Sequence, residues 1–250
     1  MPGIHIGTSG WNYRHWANGR FYPQGLKPGD WLRFLAGHFD TVEVNYSFYR
    51  IPTRESVAKW QAATPPGFLF AMKLWRGITQ FRKLSDPAGF LAQFLSSANI
   101  MPPSRRGPLL VQLPPSMGLH LQRLDAFLIE LERQTNASPW RVAVEFRHPS
   151  WLVERVYRLL NEHRAAVVLA DLGRCPITEP NDVDFVYVRR HGGWHHPEGR
   201  YLPEQIAADA ERIKGWRTTG KTVYVYYNND LNGHAVDNAR ELAGLVGLRE

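Results

Sequence analysis

Three carboxylates and three cations each stand at or just beyond the end of a short apolar run: Glu43, Glu145 and Asp171 against Lys73, Arg147 and Arg189. Two such carboxylates on opposite sides of a substrate can act as general acid and general base, and a nearby lysine can polarise or stabilise a developing oxyanion. In that reading Glu43, Lys73, Glu145 and Asp171 carry the chemistry. Arg147, Arg189, His191 and Asn228 hold the anionic end of a substrate, and Asn45 and Gln112 add neutral polar contacts. The same six charges sum to zero, and buried ions need partners, so a structural salt-bridge network is an equal alternative. Glu43, Glu145, Asp171 and His191 are also ligand types for Mg²⁺, Mn²⁺ or Zn²⁺. A divalent ion on carboxylates already matched by lysine and arginine would leave surplus positive charge, so no metal or other cofactor is assigned.

Eight β-branched or apolar runs must position these groups: Ile4–Gly7, Thr41–Asn45, Leu69–Leu74, Leu109–Leu113, Arg141–Phe146, Ala166–Asp171, Phe185–Arg190 and Val223–Asn228. Helical patterns lie between them at about 30–38, 54–63, 86–98, 121–134, 150–163, 203–218 and 234–246, with an undefined short helix before Phe185. Asp86 before Pro87 and Ser150 before an amphipathic run read as helix starts. Eight strands alternating with helices in 250 residues predict a single-domain (β/α)8 TIM-type barrel over residues 1–250. Alternation along the strands then separates two faces. Ile4, Ile6, Val42, Val44, Val142, Val144, Val186, Val188, Val223 and Val225 face the helices. His5, Ser9, Glu43, Asn45, Lys73, Gln112, Glu145, Arg147, Tyr187, Arg189, His191, Tyr224, Tyr226 and Asn228 face inward or upward. On strand six Asp171 shares its parity with Val167 and Leu169, with Val168 and Ala170 apolar on the other, and it is counted with the polar strand ends. Every strand thus ends in a polar group, on the face where barrels of this kind carry their active sites.

Composition narrows the classes. With 44% hydrophobic and 21% charged residues the chain has enough apolar surface to offset the entropy of folding, which excludes a disordered chain. One cysteine, Cys175, precludes an intramolecular disulfide or a cysteine-rich zinc cluster, and fits a reducing cytoplasm. No signal-peptide pattern and no apolar run of membrane-spanning length is present, so no membrane partner is expected. A net charge of +7 and a pI near 9.7 favour an anionic partner, nucleic acid included, although no dense basic block occurs.

The loops after strands seven and eight, RRHGGWHHPEGR and NNDLNGHAVDNA, suit anion binding: Arg189 for a bidentate clamp, Gly192 and Gly193 for close backbone approach, and a helix start near Gly233. The doublet His195-His196 reads as surface. Aromatic residues crowd the first two loops: Trp11, Tyr13, Trp16, Phe21, Tyr22, Trp31, Tyr46, Phe48 and Tyr49. Trp11 and Tyr46 are assigned to substrate stacking, whereas rim packing accounts for such rings in general. Ser9 lacks a nucleophile-elbow context and Cys175 lacks a partner, so neither is assigned as a nucleophile.

Six ordered motifs, GTSGWNYRHW (7–16), FDTVEVNYSFYRIP (39–52), FAMKLWRGIT (70–79), GPLLVQLPPS (107–116), AVEFRHPSW (143–151) and VYVYYNND (223–230), are spread over nearly the whole chain. Together they resemble the domain of unknown function 72 family, the YecE-like proteins. The resemblance implies a (β/α)8 barrel in a bacterial or archaeal cytoplasm and a loose relation to sugar isomerases, without an assigned reaction. Gln80 departs from the histidine of the family pattern. The leading expectation is an enzyme using acid/base chemistry on a small hydroxylated anionic substrate such as a sugar phosphate. A metal-assisted phosphoesterase or nuclease, and a non-catalytic nucleic-acid or protein binding module, stand as alternatives. Oligomeric state is not legible.

Overall fold

A computed structural model describes residues 3–137, 139–173, 175–192 and 199–248; Gly193 and the His195-His196 doublet lie outside the described residues. Eight parallel strands close into a barrel in chain order: β1 (Ile4–Ser9), β2 (Thr41–Val44), β3 (Leu69–Lys73), β4 (Arg106–Gln112), β5 (Val142–Glu145), β6 (Ala166–Ala170), β7 (Phe185–Arg190) and β8 (Thr222–Tyr227). β8 returns to β1 in the register Ile4 with Val223 through Thr8 with Tyr227. Around it run α1 (Trp31–Ala36), the single turn α2 (Tyr46–Tyr49), α3 (Arg54–Ala62), α4 (Ala88–Ala98), α5 (Leu121–Thr135), α6 (Glu154–Glu162), α7 (Pro203–Thr218) and α8 (His234–Leu245). The expected single-domain (β/α)8 architecture is what the chain adopts. Among the described residues no helix is long and apolar enough to cross a membrane.

Side-chain alternation divides the apolar residues into two cores. Ile4, Ile6, Val42, Val44, Val144, Val186, Val188 and Val225 pack outward with the helices. Ala71, Leu110, Ala143, Ala166, Val168, Tyr187, Tyr224 and Tyr226 fill the barrel. The interior is asymmetric: β7 and β8 contribute large tyrosines, while β1, β3, β5 and β6 contribute Gly7 and alanines that make room for them. The hydroxyl of each of the three tyrosines inside the barrel finds a partner: Tyr226 meets Thr41 Oγ1 at 2.7 Å, Tyr187 donates to Glu43 Oε2 at 2.7 Å, and Tyr224 accepts from Arg141 at 3.0 Å. Gly7 is part of this fit, since a Cβ there would stand 2.2 Å from the Thr41 carbonyl oxygen on the neighbouring strand. Gly7→Ala is therefore expected to destabilise the fold by about 1–3 kcal/mol, read as a lower denaturant midpoint.

Three local expectations are corrected. Among the described residues no helix forms between β6 and β7; that crossover turns back on itself, and Ile177 forms an antiparallel bridge with Ala170. Ser150 does not start a long helix, because its Oγ accepts from Leu119 N–H at 2.8 Å; it sits in a short turn, Pro149–Trp151, and α6 begins at Glu154. Asp86 does not cap α4, whose first flanking residue is Pro87, and Asp86 itself has φ 43°.

Candidate active site

The C-terminal ends of β2, β5 and β7 bring Glu43, Glu145 and Arg189 into one buried cluster, each at most 1% exposed. Arg189 grips Glu43 through Nε to Oε2 at 3.0 Å and a terminal nitrogen to Oε1 at 2.7 Å, and reaches Glu145 Oε2 with its other terminal nitrogen at 2.5 Å. Glu43 also accepts from Tyr187 and, through a short bond, from Ser9 Oγ, so both of its oxygens are doubly engaged. Arg147 donates Nε to Glu145 Oε1 at 2.7 Å. Burial pushes both carboxyls up, but for Glu43 Arg189 and Lys73 outweigh it, and for Glu145 Arg189 and Arg147 do. Glu43 lies below its ordinary value and Glu145 well below. Arg189, penalised by burial, is raised by the two glutamates.

These bonds change the roles assigned from sequence. Two ionised, fully engaged carboxylates have neither the proton of a general acid nor the basicity of a good general base. Glu43 and Glu145 therefore form a salt-bridge network with Arg189, and Arg189 is not free to clamp an anion. Asp171 does not join them. It continues the outward parity of Val167 and Leu169, accepts the backbone N–H of His191 at 2.9 Å and takes a short bond from the Tyr201 hydroxyl. Gly192 is also engaged, since its N–H donates to Tyr201 Oη at 2.8 Å.

Removing Asp171 from the count leaves Glu43 and Glu145 against Arg147, Arg189 and Lys73, a surplus of one positive charge. The surplus falls on Lys73, at the end of β3, which is 8% exposed. Its ammonium lies 4.1 Å from the centre of the Phe48 ring and, among the described residues, makes no hydrogen bond or ion pair. Burial and the Arg189 charge together outweigh the attraction of Glu145 and Glu43, holding Lys73 down to about 7. Arg147 is the second available cation: its side chain is 28% exposed and, among the described residues, it donates only through Nε.

Other strand ends of the mouth carry polar atoms without partners among the described residues. Asn45 donates its amide to Ser9 O at 3.1 Å and Ser9 Oγ at 2.9 Å; because a carbonyl oxygen can only accept, the amide orientation is fixed and Oδ1 is left as a buried, unpartnered acceptor. Gln112 Oε1 is another, on the end of β4. Asn228 Nδ2 approaches His191 Nδ1 at 3.1 Å, which makes Nδ1 the acceptor and places the ring proton on Nε2. That nitrogen is buried without a hydrogen bond, 3.7 Å from Glu145 Oε2. Gln80 donates to the Gln112 carbonyl at 2.7 Å and so supports that residue from outside.

The aromatic residues divide in two. Trp16, Phe21, Tyr22 and Trp31 are buried and pack the first loop against α1, as rim filling predicts. Trp11, Tyr13, Tyr46, Tyr49 and Trp60 instead line a cleft of about 560 Å³ beside the mouth, with Asn45 in its wall. Trp11 and Tyr46 both lie in this lining, each meeting Trp60 edge to face. Sequence reasoning passed over Ser9, Tyr187 and Phe48 as site residues; for the first two the inward parity was the available signal. No group of three His, Cys, Asp or Glu side chains among the described residues is arranged to share a metal ion.

A (β/α)8 barrel with a charged, partly unsatisfied C-terminal mouth is the class that fold and site define. A family model described as protein of unknown function DUF72 matches residues 5–250, and the chain belongs to that family. The YunF protein of Bacillus subtilis is 25% identical over 98% of this chain and 95% of its own length. A DUF72 family protein of Thermotoga maritima, solved by crystallography, has a TM-score of 0.85 at 27% identity, covering 98% of this chain and 99% of the other. The 3-keto-D-glucoside 4-epimerase YcjR of Escherichia coli, at 15% identity and TM-score 0.54 over 98% of this chain and 99% of its own, shares the fold alone.

Proposed function

We propose that the protein is a cytoplasmic barrel enzyme that acts by proton transfer on a small, hydroxylated, anionic substrate of the sugar-phosphate kind. The observation that carries this reading is Lys73, without an ion-pair or hydrogen-bond partner among the described residues, beside the Glu43–Arg189–Glu145 network, with the unpartnered acceptors Asn45 Oδ1 and Gln112 Oε1 at the ends of the two neighbouring strands. Buried polar atoms in native proteins are rarely left unmatched, and two acceptors with a surplus cation match hydroxyl donors on an anion. Lys73 and the outer nitrogens of Arg147 hold the negative group. The glutamates keep Arg189 and the mouth rigid rather than exchanging protons. A lysine held near neutrality is suited to exchanging a proton with substrate, and His191 Nε2–H supplies a second donor. Trp11 and Tyr46 offer ring faces to the remainder of the substrate.

Binding of inorganic sulfate, which does not itself titrate in this range, tests the anion site. As pH rises from 6 to 8.5 Lys73 loses its proton, so sulfate affinity measured by calorimetry should fall about tenfold, the loss of one charge-assisted contact. In Lys73→Met the pH dependence should vanish, and Arg147→Ala should weaken binding at every pH. Sulfate affinity indifferent to pH and to both substitutions would remove the proposal.

A further inference from the structure

We infer that Lys73 is a covalent catalyst, its amine condensing with a carbonyl carbon of the substrate, so that the substrate is a hydroxylated anionic aldehyde or ketone. This rests on the proposed anion site, with Arg147 keeping the negative group once Lys73 reacts as the free amine, and narrows its substrate class. The geometry supports a nucleophile as well as a charge. Lysines retained for electrostatics pair with a carboxylate, yet both carboxylates here are engaged by arginines and, among the described residues, the Lys73 nitrogen has only the Phe48 ring against it. Phe48 lies against that nitrogen on one side, which confines approach to the others. Ser9 Oγ, the neighbouring hydroxyl, donates to Glu43 and is not available to attack. Desolvated amines beside other cations are the form in which lysine reacts with carbonyl groups. Proximity to neutrality supplies the free base at pH 7.

The step balances without any further reactant. The neutral amine nitrogen adds its lone pair to the carbonyl carbon, the carbonyl oxygen takes up a proton, and nitrogen loses one, giving a carbinolamine. The proton that the ammonium released in becoming the free amine returns to the hydroxyl, which leaves as water with His191 Nε2–H hydrogen-bonding to the departing oxygen, and a protonated imine remains. The iminium carries the same single positive charge as the ammonium, so the surrounding network stays matched. In the iminium the adjacent C–H bond is acidified because its electron pair can flow into the C=N bond, and addition of water to the iminium carbon restores the lysine and the carbonyl.

Reductive trapping on the whole protein tests this. Dihydroxyacetone phosphate carries the carbonyl, the hydroxyl and the anion; glycerol 3-phosphate lacks only the carbonyl. With sodium cyanoborohydride at pH 7, dihydroxyacetone phosphate should yield one adduct per chain. Peptide mass mapping should place at least a tenfold excess of it on Lys73 over Lys27, Lys59, Lys83, Lys214 or Lys221, all of which are more exposed. Glycerol 3-phosphate should suppress that adduct about tenfold, and Lys73→Arg should abolish it. Because the site assignment is read on the wild-type chain, it stands even if that variant folds poorly. Adducts confined to the other five lysines, with glycerol 3-phosphate still raising the melting temperature, would overturn the imine and leave the anion site intact. If glycerol 3-phosphate also neither stabilises nor competes, both readings fall.

Discussion

Replacing Arg189 with methionine is expected to lower the stability of the protein at pH 7 by about 3–5 kcal/mol, the cost of removing one partner from a buried ion pair. For a chain of this length that is a drop of roughly 6–20 °C in melting temperature. The size follows from what remains: Glu43 and Glu145, both fully buried, lose the cation that engages three of their four oxygens. The pH dependence should reverse. In the wild type both carboxyls sit below their ordinary value of 4.5, so their contribution is present above about that pH and is lost as acid protonates them. Without Arg189 the burial that pushes Glu43 up is no longer outweighed; its carboxyl rises above 4.5, and the penalty is full at neutral pH and relieved on acidification toward pH 5. Arg189→Lys keeps the charge but cannot span both glutamates, and should lose about 1–3 kcal/mol. Thermal unfolding of the three proteins at pH 5 and 7 checks this. An Arg189→Met protein as stable as the wild type at pH 7 would mean that the carboxylates are not held as ionised groups.

Parity was sufficient to place Glu43, Lys73, Gln112, Glu145 and Arg189 at one end of the barrel, because the period of a strand is two and the apolar residues of each strand mark the other face. It does not identify partners. Nothing in the spacing of Glu43, Glu145 and Arg189 indicates that a single guanidinium reaches both carboxylates, since that depends on how three strands separated in sequence meet across the barrel. Asp171 shows the consequence. It follows β6, both of whose faces are apolar because the strand is buried on each side, so alternation there carries little information. Counting it with the mouth made six charges cancel; placing it on Tyr201 and the His191 N–H leaves one cation over. The surplus on Lys73, the feature on which the proposed function turns, was therefore hidden by one residue of ambiguous parity. The β6–β7 crossover was misread for a related reason: a short run with no helical period was given an undefined helix where the chain bridges back on itself.

That surplus should be visible as a stability cost. Lys73→Met is expected to make the protein more stable at pH 7 by on the order of 1–3 kcal/mol, because a well-packed apolar side chain replaces a buried cation that has no counter-ion of its own. Stabilisation by removal of a polar group is characteristic of sites arranged for reaction rather than for folding. The sign of the pH dependence follows from the direction of the shift. Lys73 is held down to about 7 in the folded chain against 10.5 when unfolded, so between those values the unfolded chain binds the extra proton. The penalty is therefore complete below about pH 7 and fades as pH rises toward 10.5. Lys73→Met, lacking the group, should show its largest advantage at pH 6 to 7 and converge with the wild type near pH 10, apart from a constant packing difference. Lys73→Arg should be the opposite control, since a guanidinium stays charged at every pH used and keeps the cost throughout. Melting curves of the three proteins at pH 6, 8 and 10 measure this directly. If Lys73→Met is less stable than the wild type at pH 6, the lysine is paired and structural, and the site holds no uncompensated charge for an anionic substrate to neutralise.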